Sequence, residues 1–232
     1  MGLPDVQTLD LKALGLRDVN ARLQGFDATT NQRDWTITNP MGQHAIACGL
    51  DAPLSVAIEG HVGFYCGGMN KDAEITVRGH AGVGVGENMM SGTIRVTGNA
   101  SQSAGATAHG GLLVIEGDAS SRCGISLKGA DIVVGGSVGH MSAFMAQAGA
   151  LVVCGDAGEA LGDSIYEARL YVRGSVESLG ADCIEKEMQD EHKRQLADLL
   201  ERAGIDADVA EFRRYGSGRT LYSFNVDHAD QY

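Results

Sequence analysis

From Leu54 onward, hydrophobic and polar residues alternate in short bursts that recur at a fixed interval. Seven glycines, Gly60, Gly79, Gly98, Gly117, Gly136, Gly155 and Gly174, stand 19 residues apart without insertion or deletion. Four residues before each glycine lies Val56, Ile75, Ile94, Leu113, Ile132, Leu151 or Leu170. Two before it lies Ile58, Val77, Val96, Ile115, Val134, Val153 or Val172. Period-two alternation of aliphatic residues predicts a half-buried strand, and a fixed period without drift predicts equal coils stacked in register. The chain therefore reads as an all-β solenoid, a single-stranded parallel β-helix of about seven 19-residue coils, with a rod of about 34 Å at ordinary strand spacing. A period of 19 is not a multiple of the hexad used by left-handed helices, which favours the right-handed form.

Other columns refine this picture. Two residues after the glycine every unit carries Ala or Val, and seven after it come Gly67, Gly86, Gly105, Gly124, Ala143, Gly162 and Ala181, nothing larger than a methyl group. Both are expected at corners, where positive φ or close backbone approach excludes bulk.

Outside the repeat, residues 1–53 read as an amino-terminal cap followed by a degenerate first coil at residues 35–39. Met41 takes the place of the next column glycine. Residues 54–181 form the β-helix, and residues 182–232 the carboxy-terminal capping helices and an interaction tail. Asp182 and Glu185 have capping-box spacing ahead of Ile184, Met188, Leu196, Leu199, Leu200 and Ala203, with Gly204 as the stop. A shorter helix is expected from Asp208 to Tyr215. Tyr222, Phe224 and Val226 then alternate as a tail strand.

The net charge of -12 opposes a nucleic-acid or anionic-membrane surface, which needs a cationic face. No stretch approaches the roughly 18 apolar residues of a membrane span, and a cytoplasmic location is expected. Five cysteines, Cys48, Cys66, Cys123, Cys154 and Cys183, lack a C-x-x-C pair and fit reduced thiols. Cys66 and Cys123, three coils apart, would be separated by about 14 Å, too far for a disulfide.

Few residues invite chemistry. The glycines of GVGVGEN occupy repeat columns and precede no helix pattern, so they do not form a dinucleotide loop. His61 and His80 follow the column glycine in adjacent coils, about 5 Å apart. They could pair on a metal, but Asn99, Asp118, Ser137, Asp156 and Ser175 complete their column with ordinary turn residues. His44, His109 and His140 fall in different columns. Glu59, Glu116, Arg78 and Arg173 read as a solvated charged row, and Met69, Met89, Met90, Met141 and Met145 as either core filling or a partner surface.

The G-x-x-G-x-x-x-G pattern of Gly60, Gly63 and Gly67, of Gly79, Gly82 and Gly86, and of Gly155, Gly158 and Gly162 resembles the GXGXG domain that ends the large subunit of glutamate synthase. The resemblance covers residues 54–181. It extends to the C subunits of formylmethanofuran dehydrogenase and of the formyltransferase/hydrolase complex. Coils with Ser101, Ser120 or Glu177 at the middle position, or Ala143 or Ala181 at the last, are looser copies. The segment FRRYGSGRTLYSFNVDHADQY is similar to the stand-alone glutamate-synthase-like subunit of methylamine-glutamate N-methyltransferase.

That resemblance implies a multi-subunit transferase exchanging ammonia for methylamine on L-glutamate. This chain would join an amidotransferase-like subunit to an FMN-binding subunit that also carries an iron-sulfur cluster. The cofactors would sit on the partner, and no catalytic, cofactor-binding or metal residue is assigned to this chain. The contrasting readings are the C subunit of a formylmethanofuran dehydrogenase or formyltransferase/hydrolase complex, and an independent β-helix enzyme using His61 and His80.

Overall fold

The computed structural model describes residues 6–219. Nine parallel strands stack in chain order: β1 (Gln7–Asp10), β2 (Asp34–Thr38), β3 (Ser55–Ile58), β4 (Glu74–Val77), β5 (Thr93–Val96), β6 (Leu112–Ile115), β7 (Lys128–Val134), β8 (Ala148–Val153) and β9 (Arg169–Val172). From β3 to β9 the register is the one the repeat demands, with Val56 opposite Ile75, Ile75 opposite Ile94, and so on to Leu170. These residues and the column two places on are fully buried, so identical aliphatic ladders run down the interior. A second ladder of parallel bridges links Val62, Ala81, Ala100, Ala119, Val138, Ala157 and Val176, the small inward column after the glycine.

Between β2 and β3 the offset is 21 residues, Ile37 lying opposite Ile58. The degenerate coil at residues 35–39 is therefore a true coil with two extra residues. Asn39, two places past Ile37, takes the position expected of Met41, and Met41 projects outward at 87% exposure. Ahead of this coil, β1 adds one more strand, and α1 (Leu11–Leu14) and α2 (Leu16–Gln24) fold across the open core. Val19 and Leu23 are buried in it. Asn20 accepts from Ala47 N–H and donates to the Ala45 carbonyl, and Gln24 donates to the Cys48 carbonyl. These bonds satisfy first-coil backbone groups that have no coil before them.

The carboxy-terminal end differs from its sequence-based expectation. Cys183–Lys186 is a strand, β10, so Asp182 and Glu185 cap no helix. The helix α3 spans Asp190–Ala203, and its capping box is made by Gln189 and His192, with His192 Nδ1 accepting the Gln189 N–H at 3.2 Å. A histidine does here what glutamate does in the usual box. The helix expected from Asp208 to Tyr215 is a 3₁₀ turn, Val209–Glu211, followed by β11 (Arg213–Ser217). β11 runs antiparallel to β9, and β10 antiparallel to β11, finishing the sheet. The proposed tail strand at Tyr222, Phe224 and Val226 lies outside the described residues.

Helix α3 lies along the flank of the rod. The outward column of the sheet reads Ala57, Thr76, Arg95, then Val114, Val133, Val152 and Tyr171. The last four are buried together with Leu196, Leu199, Leu200, Ala203 and Phe212 in a core separate from the rod interior. Arg95 marks its border, pairing with Glu116 at 3.1 Å and donating to the Ala203 carbonyl at the end of α3.

Candidate functional site: the faces of the rod

Each coil has a strand side, a short corner after the column glycine, and a long turn side. At the corner, the residue after the glycine forms a polar ladder. Its side chain accepts the backbone N–H of its counterpart one coil on: His61 from His80 at 2.9 Å, His80 from Asn99 at 2.8 Å, Asn99 from Asp118 at 3.0 Å, Asp118 from Ser137 at 2.8 Å, Ser137 from Asp156 at 2.9 Å, and Asp156 from Ser175 at 2.7 Å. His, Asn, Asp and Ser share only a short-range acceptor, and that is what this position requires.

The ladder also explains the column glycines from Gly79 to Gly174, whereas Gly60, ahead of the first ladder bond, has φ +132°. Gly79, Gly98 and Gly155 have ordinary negative φ, but a Cβ on Gly98 would stand 2.5 Å from His80 Nδ1, and one on Gly155 2.5 Å from Ser137 Oγ. Close approach, rather than left-handed backbone, excludes a side chain there.

His61 and His80 are brought together as expected, with rings stacked at 4.9 Å and an interplanar angle of 13°. Yet each Nδ1 lone pair already accepts a backbone N–H, which places the neutral-ring proton on Nε2. The pair is a structural stack. Among the described residues no three His, Cys, Asp or Glu side chains gather in a group able to hold a metal ion. His44 serves similarly one coil earlier, its Nδ1 accepting the Phe64 N–H at 3.1 Å while its ring lies 4.2 Å from the Phe64 ring. His140 approaches Glu159 at 3.9 Å, and His109 is exposed.

The charged row is paired: Arg78 with Glu59 at 2.8 Å and Glu116 with Arg95 across coils, and Arg173 with Glu211 of the 3₁₀ turn at 3.9 Å. Exposed pairs of this kind contribute about 0–1 kcal/mol each. All five cysteines are free and buried. Burial pushes the Cys48 and Cys183 thiols up to about 11 and the Cys123 thiol up to about 12, and raises those of Cys66 and Cys154, so none is a poised nucleophile. An open recess of about 510 Å³ is lined by Asn39, Pro40, Met41, Gly42, Glu59, Gly60 and His61.

The turn side has a different backbone. Counting from the column glycine, residues five, seven and nine places on are left-handed in coil after coil, as in Tyr65, Gly67 and Met69 (φ +62°, +65° and +55°) or Arg122, Gly124 and Ser126 (φ +60°, +68° and +52°). The alternation points successive N–H groups in opposite directions along the rod. Tyr65 N–H donates forward to Val83 at 2.8 Å, Gly67 back to Ile46 at 3.0 Å, and Met69 forward to Glu87 at 2.9 Å. Only the middle position faces the interior, where a Cβ on Gly67 would lie 2.7 Å from Ile94 Cδ1. That contact limits its column to Gly and Ala.

The two flanking left-handed positions face solvent and carry Tyr65, Met69, Arg122, Met141 and Met145, among others. Met69 and Met90 are about half exposed and Met145 is also exposed, whereas Met89 is buried in the core. The methionines thus divide between core and surface. The sequence signal for the left-handed positions is weak, because only Gly84 breaks a run of ordinary residues at the first of them.

No family model matches the chain. Among curated proteins it is 58% identical over 225 residues to protein GlxC of Rhizobium meliloti (strain 1021), an alignment covering 97% of this chain and 99% of that protein. At that identity and coverage, the chain belongs to the GlxC family.

Proposed function

We propose that the chain is the non-catalytic scaffold subunit of a glutamate-synthase-like complex, an N-methylglutamate synthase. In that complex it would hold an amidotransferase-like subunit against an FMN-binding, iron-sulfur-containing subunit. The overall reaction is methylamine plus L-glutamate giving N-methyl-L-glutamate plus ammonia. FMN and the cluster belong to the partner in this reading. The reading draws its reaction from the G-x-x-G-x-x-x-G repeat and from the segment starting at Phe212, and its non-catalytic character from the geometry. The observation that carries it is the use of the candidate reactive groups as structural parts. The Nδ1 atoms of His44, His61 and His80 accept backbone N–H groups, and the thiols are buried and raised.

The test is affinity purification of the tagged full-length chain from its native cells. The amidotransferase-like and FMN-containing chains should co-elute, and the eluate should form N-methylglutamate from methylamine and glutamate. Deleting this chain should abolish that activity. Recovery of the chain alone, with synthesis intact in the deletion strain, would contradict the proposal.

A further inference from the structure

The faces of the rod are unequally finished. The outward sheet is covered by α3 over β6–β9 and carries Thr76 and Arg95 further toward the amino terminus, and the corner is closed by the polar ladder. The turn side, by contrast, exposes Phe64 (50%), Val83 (46%), Met69 (49%) and Met90 (47%) in the first two coils and Met145 (38%) in the fifth. Exposed aromatic and methionine side chains gathered on one face are characteristic of protein interfaces.

One further observation points to an occupant. The chain carries -12 overall, yet the turn stretches of the third to fifth coils hold no carboxylate, and the fourth presents Arg122 and, where the turn side meets β7, Lys128, both exposed and making no ion pair or side-chain hydrogen bond among the described residues. Within the first five coils the acids of this side, Asp72 and Glu87, lie in the first two. Arg122 and Lys128 stand between the apolar side chains of the first two coils and Met145, within a span of about 19 Å along the rod.

We infer that the turn side of the first five coils is the docking surface for a protein subunit whose contact region is apolar at both ends and carboxylate-bearing at its centre. The inference rests on the scaffold reading and specifies the face through which the scaffold holds one partner. Apolar contact would supply most of the affinity, while Arg122 and Lys128 set the register and the rate of encounter.

Native assembly purified through the full-length chain, in wild-type form and as Phe64→Glu and as the pair Arg122→Glu and Lys128→Glu, tests it. Each variant should recover at least about tenfold less of one identified partner per chain; the exposed charge-reversal pair should keep the wild-type melting temperature, and Phe64→Glu, which gives up the His44 ring contact, is assayed well below its own melt. Wild-type binding should also weaken with salt more steeply than binding by Arg122→Ala with Lys128→Ala. Undiminished recovery by both variants would overturn the docking face and leave the scaffold reading standing. Failure of the wild-type chain to recover any partner would overturn both.

Discussion

The strand side and the turn side of each coil solve the same problem by different means. On the strand side, the backbone is ordinary, and the aliphatic ladders from Val56 to Leu170 define the stack through the volume they bury. On the turn side, inter-coil N–H bonds from alternating left-handed residues define it, while the residues between them, such as Cys66, Val85, Met89 and Leu127, fill the interior. The first solution constrains nearly every residue. The second leaves solvent-facing positions open to any side chain that function demands.

The comparison breaks first at the inward left-handed position. Gly105→Val would force a β-branched residue into φ +65° with its Cβ 2.5 Å from Ile132 Cδ1. A loss of about 3–4 kcal/mol is expected in denaturant melts, and a loss below about 1 kcal/mol would contradict the assigned packing. Next comes the covered half of the outward sheet. Leu199→Ala removes a fully buried side chain from the α3 interface, at an expected cost of about 2–3 kcal/mol. Cys154, buried under α3, should become reactive to thiol reagents in that variant while Cys123, inside the rod, stays protected.

The ladder at the corner sets the middle of the scale. Asn99→Ala removes the acceptor for the Asp118 N–H and should cost about 1 kcal/mol, whereas Asn99→Asp keeps an acceptor there and should cost less. Asp156 adds a pH dependence. The Ser175 N–H, and then its hydroxyl, hold the Asp156 carboxyl below its ordinary value. Its contribution is therefore complete above the unfolded pKa and is lost as pH falls through the lower folded one. Melts of Asp156→Asn should lack that part of the acid decline, and identical decline in both proteins would contradict it.

Much of this was legible in the sequence, and the misses have physical causes. The aliphatic alternation announced coil, register and core, because burial on one face of a strand leaves a period of two. The position of α3 was written in the outward column, where Thr76 and Arg95 give way to Val114, Val133, Val152 and Tyr171. Attention to the inward columns alone hides that change, and the helix then reads as an end cap. Its start was misplaced because Asp182 and Glu185 have the same spacing as Gln189 and His192, and histidine is an uncommon partner in a capping box. The polar ladder was visible only as turn residues, since a column of His, Asn, Asp and Ser shares an acceptor rather than a shape. The left-handed positions were legible at Gly67 and its column, where crowding demands glycine, and illegible at Tyr65 or Met69, where solvent tolerates any side chain.

At the small end of the scale, Met145→Gly should be neutral or stabilising by up to about 1 kcal/mol, because it relieves left-handed strain at an exposed position. A clear loss of stability would show that the side chain serves the fold.

Hydroxyl-radical footprinting of the chain, alone and in its native assembly, tests the central claim most directly, because methionine and aromatic side chains report it themselves. Met69, Met90, Met145 and Phe64 on the turn side should lose reactivity in the assembly, while Met41, exposed beside the His61 recess, stays as reactive as in the free chain. Unchanged oxidation of the turn-side residues would contradict the account, most plainly if Met41 alone were protected.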